Sequence, residues 1–400
     1  VIDARDLLVP ASGARDANRK RMIIEIMVKA DRQSRIARRS GLSQASVSTA
    51  VQELVDQGVL EHDRGRGRGG LVRLTPVRGV AVGVDISHEH VVVVARRVDQ
   101  GHDHVTVQQR PDGANHGLSR LLPQIKTMLA EVVEETGQTL DDVVSAGLAV
   151  PRMIDPRTGR FATPVLLPWH EDDEPAEDIG RFLGLRVAVD NDANLGAMAE
   201  QIYGMDEPAE TVVYVKATTG VGVGIMIGDL LYRGHRGMAG EIGHLTIDRD
   251  GDVCECGGRG CLDTIVGAAA LVAEVRTSHR GSGTTDLPVT LRSVIEKAHA
   301  RDAVCLRVLR DAGRALGFAL AQLCNLVNPR LVVLGGELAG GRDLVLEPCG
   351  QELQRYALAG AVDPREGFVL RTSQLGHNTE AQGALILGLR SRQFDEGSPD

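Results

Sequence analysis

The amino-acid sequence predicts a mixed α/β protein, with an N-terminal winged helix-turn-helix followed by a larger body of strands and helices in two lobes. Three observations predict this. Residues 1–78 carry 15 Lys and Arg against 9 Asp and Glu, while residues 79–400 carry 30 against 45, so a basic head precedes an acidic body. Within the head, two short amphipathic segments meet at a glycine and lead into a hairpin pattern. Beyond residue 79, Val-rich runs alternate with helical periodicities. At 400 residues and 42% hydrophobic composition the chain can bury a sizeable core, which excludes a disordered chain or a small disulfide scaffold. It has no apolar run of about 18 residues, and charges occupy its first residues where a signal peptide needs an apolar stretch, so a cytoplasmic protein with no membrane partner is expected.

The elements follow in order. Residues 1–17 form an N-terminal segment free to be flexible, and residues 18–78 form the head. Asn18 caps a first helix over 18–29, in which Met22, Ile23, Ile26 and Met27 recur at helical spacing. A second helix over 33–39 ends at Gly41, and Ser43 caps a third with Val47, Val51, Leu54 and Val55 facing inward. Gln44, Ser46, Ser48 and Thr49 then point outward with small or hydrogen-bonding side chains suited to base edges in a major groove. A strand from Val59, an Arg-Gly run over 64–70 and a strand over 71–74 make the wing. Arg64, Arg66 and Arg68 at its tip suit the negative potential of a narrow minor groove, with the interleaved glycines allowing close approach. The chain has only five Lys, so the basic character rests on Arg.

A body over 79–400 follows Thr75-Pro76. Strands are expected at 80–86, 91–98, 143–150, 186–189, 211–215, 224–227, 331–334 and 369–370. Helices are expected at 118–136, 194–203, 267–275, 291–300, 303–327, 344–357 and 380–389. The acidic run at 171–177 reads as a solvated loop.

His244, Cys254, Cys256 and Cys261 carry the most specific chemistry. Three thiolates and one imidazole are the ligand set of a closed, tetrahedral structural Zn2+ site, and glycines at 257, 258 and 260 let the loop fold round the ion. Reduced intracellular thiols make a disulfide the weaker reading. Cys305, Cys324 and Cys349 lie apart as ordinary buried residues. Asp190-Asn191-Asp192-Ala193-Asn194 follows a strand and opens a helix, where carboxylates and amides project at a strand end. The run 218–224, Thr-Thr-Gly-Val-Gly-Val-Gly, reads as a Gly-rich turn offering N–H groups to a phosphate. A helix cap, a tight hairpin and a loop turn are the plain readings of these two segments and of 240–244.

Together these residues resemble the ROK family of repressors, open reading frames and sugar kinases, over residues 18–390. Gly-Glu-Ile-Gly-His at 240–244 with Cys-x-Cys-Gly-x-x-Gly-Cys at 254–261 is similar to the family signature, and the segments at 164–169, 190–194, 218–224 and 331–336 follow in family order. The resemblance implies an actin-like ATPase fold with a sugar between the lobes, and a winged helix in the repressor branch. It assigns Asn191 and Asp192 to the sugar, Asp192 being the general base in kinases and here a vestigial one. It also assigns Glu241, His244 and Asp263 to the sugar, although Asp263 stands where the signature ends in Glu. His244 would then use one ring nitrogen for zinc and the other for a sugar hydroxyl. Kinase members carry DxGGTK after the first strand, whereas this chain reads Asp85-Ile86-Ser87-His88-Glu89-His90. Both glycines are gone and Glu89 adds a negative charge, so the ATP site is expected to be degenerate. Arg152 replaces a Gly common in kinases.

The expected function is a DNA-binding transcriptional regulator, a repressor of sugar-metabolism genes, with double-stranded operator DNA and a monosaccharide or derivative as partners. The resemblance implies a homodimer or homotetramer, and a two-fold dimer would present two recognition helices to a palindromic site. The rivals are an active ATP-dependent sugar kinase with a regulatory head, and a regulator whose degenerate pocket leaves control to a protein partner.

Overall fold

The structure, a computed structural model, describes residues 2–63, 70–162, 169, 173–279 and 287–394. Arg64, Arg66 and Arg68, most of 164–169 and the start of the acidic run lie outside the described residues. The chain divides into two compact units, one formed by Val1–Leu195 with Glu380–Asp400 and the other by Gly196–Thr379. It passes between them twice, each time inside a helix.

The first unit opens with β1 (Ile2–Asp3) and α1 (Ala4–Leu7). The segment expected to be free is tied down: β1 pairs in parallel with β4 (Val77–Arg78), and the Arg78 Nη2 donates to the Asp3 carboxylate at 3.0 Å. Three helices follow, α2 (Ala14–Val28), α3 (Gln33–Ser40) and α4 (Gln44–Asp56), and then the antiparallel strands β2 (Leu60–Asp63) and β3 (Leu71–Leu74). α2 starts four residues before the expected Asn18 cap. Ser12 bonds Asp16 in its first turn, while Arg15 reaches Glu53 on α4 and Arg19 reaches Gln57 just after it, so tertiary contacts extend it. Gly41 adopts φ 67°, a left-handed conformation that ends α3 at little cost in a residue without a Cβ.

The remaining strands are β5 (Val80–Ile86), β6 (Val91–Arg97), β7 (Thr106–Arg110), β8 (Val143–Val150) and β9 (Val187–Asn191), with α5 (Leu118–Glu135) and α6 (Pro175–Leu183) beside them. They form one sheet in the order β7-β6-β5-β8-β9, the first pairs antiparallel and the last two parallel. β5 and β8 are buried at every residue, as expected of strands covered on both faces. α6 replaces the later part of the expected acidic loop, because Pro175 at its first turn and the buried Ile179 turn the run into an amphipathic helix. β7 was not expected at all; its polar, half-buried edge has no apolar run to announce it.

α7 (Asp192–Ile202) carries the chain into the second unit, with β10 (Thr211–Ala217), β11 (Val221–Ile227), β12 (Leu230–Leu231), α8 (Asp263–Val266), α9 (Ala268–Ser278), α10 (Leu291–His299), α11 (Ala303–Val327), β13 (Leu331–Gly335), α12 (Asp343–Tyr356) and β14 (Val369–Thr372). Its sheet runs β12-β11-β10-β13-β14, again two antiparallel pairs followed by two parallel ones. The Gly-rich run is shorter as a turn than expected: Gly222 and Gly224 lie within β11, paired with Lys216 and Tyr214, and only Thr218, Thr219 and Gly220 turn. α13 (Thr379–Ser391) returns the chain to the first unit.

Candidate functional site

In the second unit a short turn at Ile242–His244 and a loop to Cys261 gather the four expected metal ligands, whose donor atoms all lie within 4.8 Å of one another. Two isolated bridges, Thr246 with Cys261 and Val253 with Arg259, close the loop. Gly260 at φ 62° is obligatory, since a Cβ there would lie 1.4 Å from the Asp248 carbonyl oxygen. His244 Nδ1 and Cys254 Sγ are 3.7 Å apart, as are the sulfurs of Cys256 and Cys261. This donor set fits one tetrahedral ion. The Gly258 N–H, at 3.4 Å, holds the Cys256 thiol below its usual value, whereas burial pushes Cys261 up to about 12. Metal binding must therefore displace thiol protons. Cys305, Cys324 and Cys349 lie in the core, where burial pushes each thiol up to about 12, and they contribute packing.

With Nδ1 turned to the thiols, His244 presents Nε2 on the other side of its ring; the side chain is 35% exposed. Asp263 opens α8 and faces the hairpin turn: its Oδ1 accepts the Val221 N–H at 2.8 Å, and Oδ2 lies 3.7 Å from His244 Nδ1. A Cβ at Gly243 would fall 2.4 Å from that carboxylate. Burial raises the Asp263 carboxyl above its ordinary value. One of its oxygens is thus already committed to backbone, a role the sequence did not signal. Glu241 is half-buried just before the His244 turn.

In the first unit the C-terminal ends of three parallel strands stand in register, Asp85 beside Ala149 and Ala149 beside Asp190, then Val150 beside Asn191. Polar groups collect there, the usual position for ligands in such sheets. Asp190, expected only as part of the segment, organises it by accepting the Asn191 N–H at 2.7 Å and the Asn194 Nδ2 at 3.1 Å. Asn191 donates to the Arg152 carbonyl at 3.2 Å, and Asp192, 7% exposed, accepts the Ala193 N–H at 2.7 Å. The β5–β6 turn is closely engaged. Ser87 N–H donates to the His90 carbonyl at 2.9 Å, its Oγ to Asp85 at 2.9 Å, and its carbonyl accepts Ala114 N–H at 2.8 Å. A Cβ at Gly113 would meet the backbone nitrogens of His90 and Glu89 at 2.4 and 2.5 Å, so the 113–116 segment lies directly on that turn.

On the head, Gln44, Ser46, Ser48 and Thr49 are exposed while Val47, Val51 and Leu54 are buried, so α4 presents the expected outward face. Ser43 accepts the Ser46 N–H at 3.1 Å, and the two hydroxyls are 2.8 Å apart, so Ser46 also serves the cap. Arg38 on α3 and Arg32 just before it are exposed. Their charge and helical spacing are the signal in the sequence that marks them.

The sequence pattern of the ROK family matches residues 82–391. The xylose repressor of Bacillus subtilis (strain 168) is 26% identical over 374 residues, covering 92% of this chain and 93% of that protein. A glucokinase of Halalkalibacterium halodurans is 32% identical over 283 residues, 68% of this chain and 84% of the enzyme. Among solved structures, a ROK family transcriptional regulator described as a homologue of E. coli MLC superposes with a TM-score of 0.71 at 19% identity, over 96% of this chain and 98% of that one. The structural likeness establishes a shared two-lobed, actin-like fold.

Proposed function

The chain belongs to the ROK family, and we propose that it is a sugar-responsive transcriptional regulator, a repressor of sugar-metabolism genes acting in the cytoplasm. One observation carries the reading: a head of three helices and a hairpin, exposing Gln44, Ser46, Ser48 and Thr49, precedes the family region, and likeness to a xylose repressor extends over 92% of the chain. The glucokinase likeness extends over 68%. We read the head as a winged helix-turn-helix that sets Gln44 and its neighbouring hydroxyls against base edges, with Arg64, Arg66 and Arg68 in the minor groove. Two copies would present two such heads to a palindromic operator.

Zn2+ is the ion the Cys3His set suits, held by His244, Cys254, Cys256 and Cys261 as a structural centre. Asn191, Asp192, Glu241 and the second nitrogen of His244 are assigned to a monosaccharide effector. Asp263 is assigned to it through its second oxygen. Sugar and operator affinities are then linked: whatever factor the sugar takes from operator binding, the operator takes from sugar binding.

A sugar kinase is the second reading, favoured by Asp192 and by the 32% identical glucokinase. Against it, the β5–β6 turn has no glycine and its Ser87 amide is already bonded, so it offers little to a triphosphate, while Glu89 repels one. Titration of the full chain against labelled upstream regions of sugar-use genes tests the regulator. Specific binding that weakens steeply with salt is expected; absence of any specific complex at low salt would refute it.

A further inference from the structure

Resting on the regulator reading, one buried carboxylate stands out as the tie between the head and the sugar-binding body. Glu25 on α2 is 1% exposed, a depth at which a carboxylate requires partners. Arg390, in the last turn of α13, grips it with two hydrogen bonds, Nε to Oε1 at 2.8 Å and Nη2 to Oε2 at 3.0 Å. Arg39, in the last turn of α3, donates Nε to the same Oε2 at 3.3 Å. Its other nitrogens reach Asp31 Oδ2 at 2.7 Å and the carbonyls of Glu25 and Lys29 at 3.2 and 2.6 Å. Arg96 of β6, also 1% exposed, donates to the Met27 and Val28 carbonyls at the end of α2, at 2.8 and 3.3 Å.

Arg390 has a rigid base. A Cβ at Gly83 on β5 would lie 2.0 Å from the Ala381 carbonyl oxygen, and one at Gly147 on β8 would lie 1.8 Å from that of Ala384. The backbone of α13 therefore rests directly on the two strands whose C-terminal ends lead to Asp85 and Arg152. The start of the same helix is where the chain re-enters the first unit. Arg39 in turn lies two residues before Gly41, the turn that leads into α4.

An apolar contact between α2 and α13 would tolerate sliding and rotation, whereas a bidentate guanidinium–carboxylate pair fixes both distance and angle. Buried ion pairs are a weak source of stability, and their attested use is to select one arrangement. We infer that Glu25 is the positioning residue that sets the recognition helix relative to the sugar-binding lobe, anchored to the body by Arg390 and joined to the helix-turn-helix by Arg39.

Two measurements on full-length protein test it, with Arg390→Gln and Glu25→Gln, and with Arg390→Lys as the milder variant. In hydrogen–deuterium exchange the Gln variants should exchange amides of residues 14–56 at least tenfold faster, with β5, β8 and β10 unchanged and Arg390→Lys intermediate. In operator titrations with and without D-xylose, D-glucose or N-acetylglucosamine, a sugar that shifts wild-type affinity tenfold should shift Arg390→Gln at most twofold. Wild-type exchange in the head, or faster exchange spread evenly through the body, overturns the inference, as does a full sugar response in the variants. Should Arg390→Gln lose its melting transition, Arg390→Lys carries the same comparison. If no sugar shifts the wild type, the regulator's effector reading has failed, and exchange alone judges Glu25.

Discussion

The two units repeat one sheet topology and differ at the hairpin turn between their first two strands. In the second unit Thr218, Thr219 and Gly220 turn between β10 and β11, and Asp263 holds Val221 just beyond. In the first unit Ser87, His88, Glu89 and His90 turn between β5 and β6, packed beneath residues 113–116. The residues before the turns also contrast: Asp85 and Lys216 occupy the same position of β5 and β10, both buried, one a carboxylate and one an ammonium. The repeated topology thus carries a small-residue turn in the second unit and bulky side chains in the first. Shared topology conveys where a ligand could sit, and the turn chemistry decides which ligand.

The largest break in the comparison is metal. Among the described residues only the second unit holds a metal-ligating cluster. One zinc per chain is expected by elemental analysis, and Cys256→Ser should lose it. Structural zinc contributes on the order of 10 kcal/mol to folding in small domains, so the variant should melt well below the wild type. Because burial pushes the Cys261 thiol up to about 12, affinity should rise with pH as thiol deprotonation becomes easier, a trend that competition with a chromogenic chelator would read.

Next come the close backbone approaches. Gly147→Ala in the first unit and Gly313→Ala in the second would put a Cβ 1.8 Å and 2.5 Å from carbonyl oxygens of packed helices. Each should cost about 3 kcal/mol in urea unfolding, the upper range for overpacking. Tolerance of the first would show that α13 can shift on its sheet, and tolerance of the second that α12 can shift on α11.

The turns themselves are tested by nucleotide. Wild-type protein should bind ADP with magnesium more weakly than millimolar, and His88→Gly with Glu89→Gly should tighten it at least tenfold by removing bulk and a charge worth about 4 kcal/mol at 4 Å in a partly buried site. Calorimetry showing micromolar ADP binding by the wild type would revive the kinase reading.

The smallest effect is a helix cap. Asp302 accepts the N–H groups of Val304 and Cys305 at 3.0 and 2.8 Å at the start of α11, and those bonds hold its carboxyl below 3.8. Its stabilisation is complete above the unfolded pKa and fades as pH falls through the lower folded value. Asp302→Ala should cost about 1 kcal/mol at neutral pH, and the difference from wild type should vanish in strong acid.

Much of this was legible in the sequence. Long periodic segments such as α11 and the all-buried strands announced themselves, and the Cys3His spacing alone brought four ligands to one place. What escaped reading depends on distant partners. β1 exists because Val77 and Arg78 lie beside it. α2 begins early because Arg15 finds α4 and Arg19 finds Gln57 just after it. Gly222 became strand, two residues before the expected start at Gly224, because β10 pairs with it. Glu25 and Arg390 are 365 residues apart, and neither position carries a local signal for the other. Asp263 turned one oxygen to the Val221 backbone.

Under the proposed function, sugar and operator compete through one molecule. Operator affinity of the full-length wild type and of Asp192→Asn, titrated with a sugar panel, tests it most directly. One sugar should weaken wild-type operator binding at least tenfold and leave Asp192→Asn nearly unaffected. Unchanged operator affinity with every sugar, or an equal response from Asp192→Asn, would contradict the account.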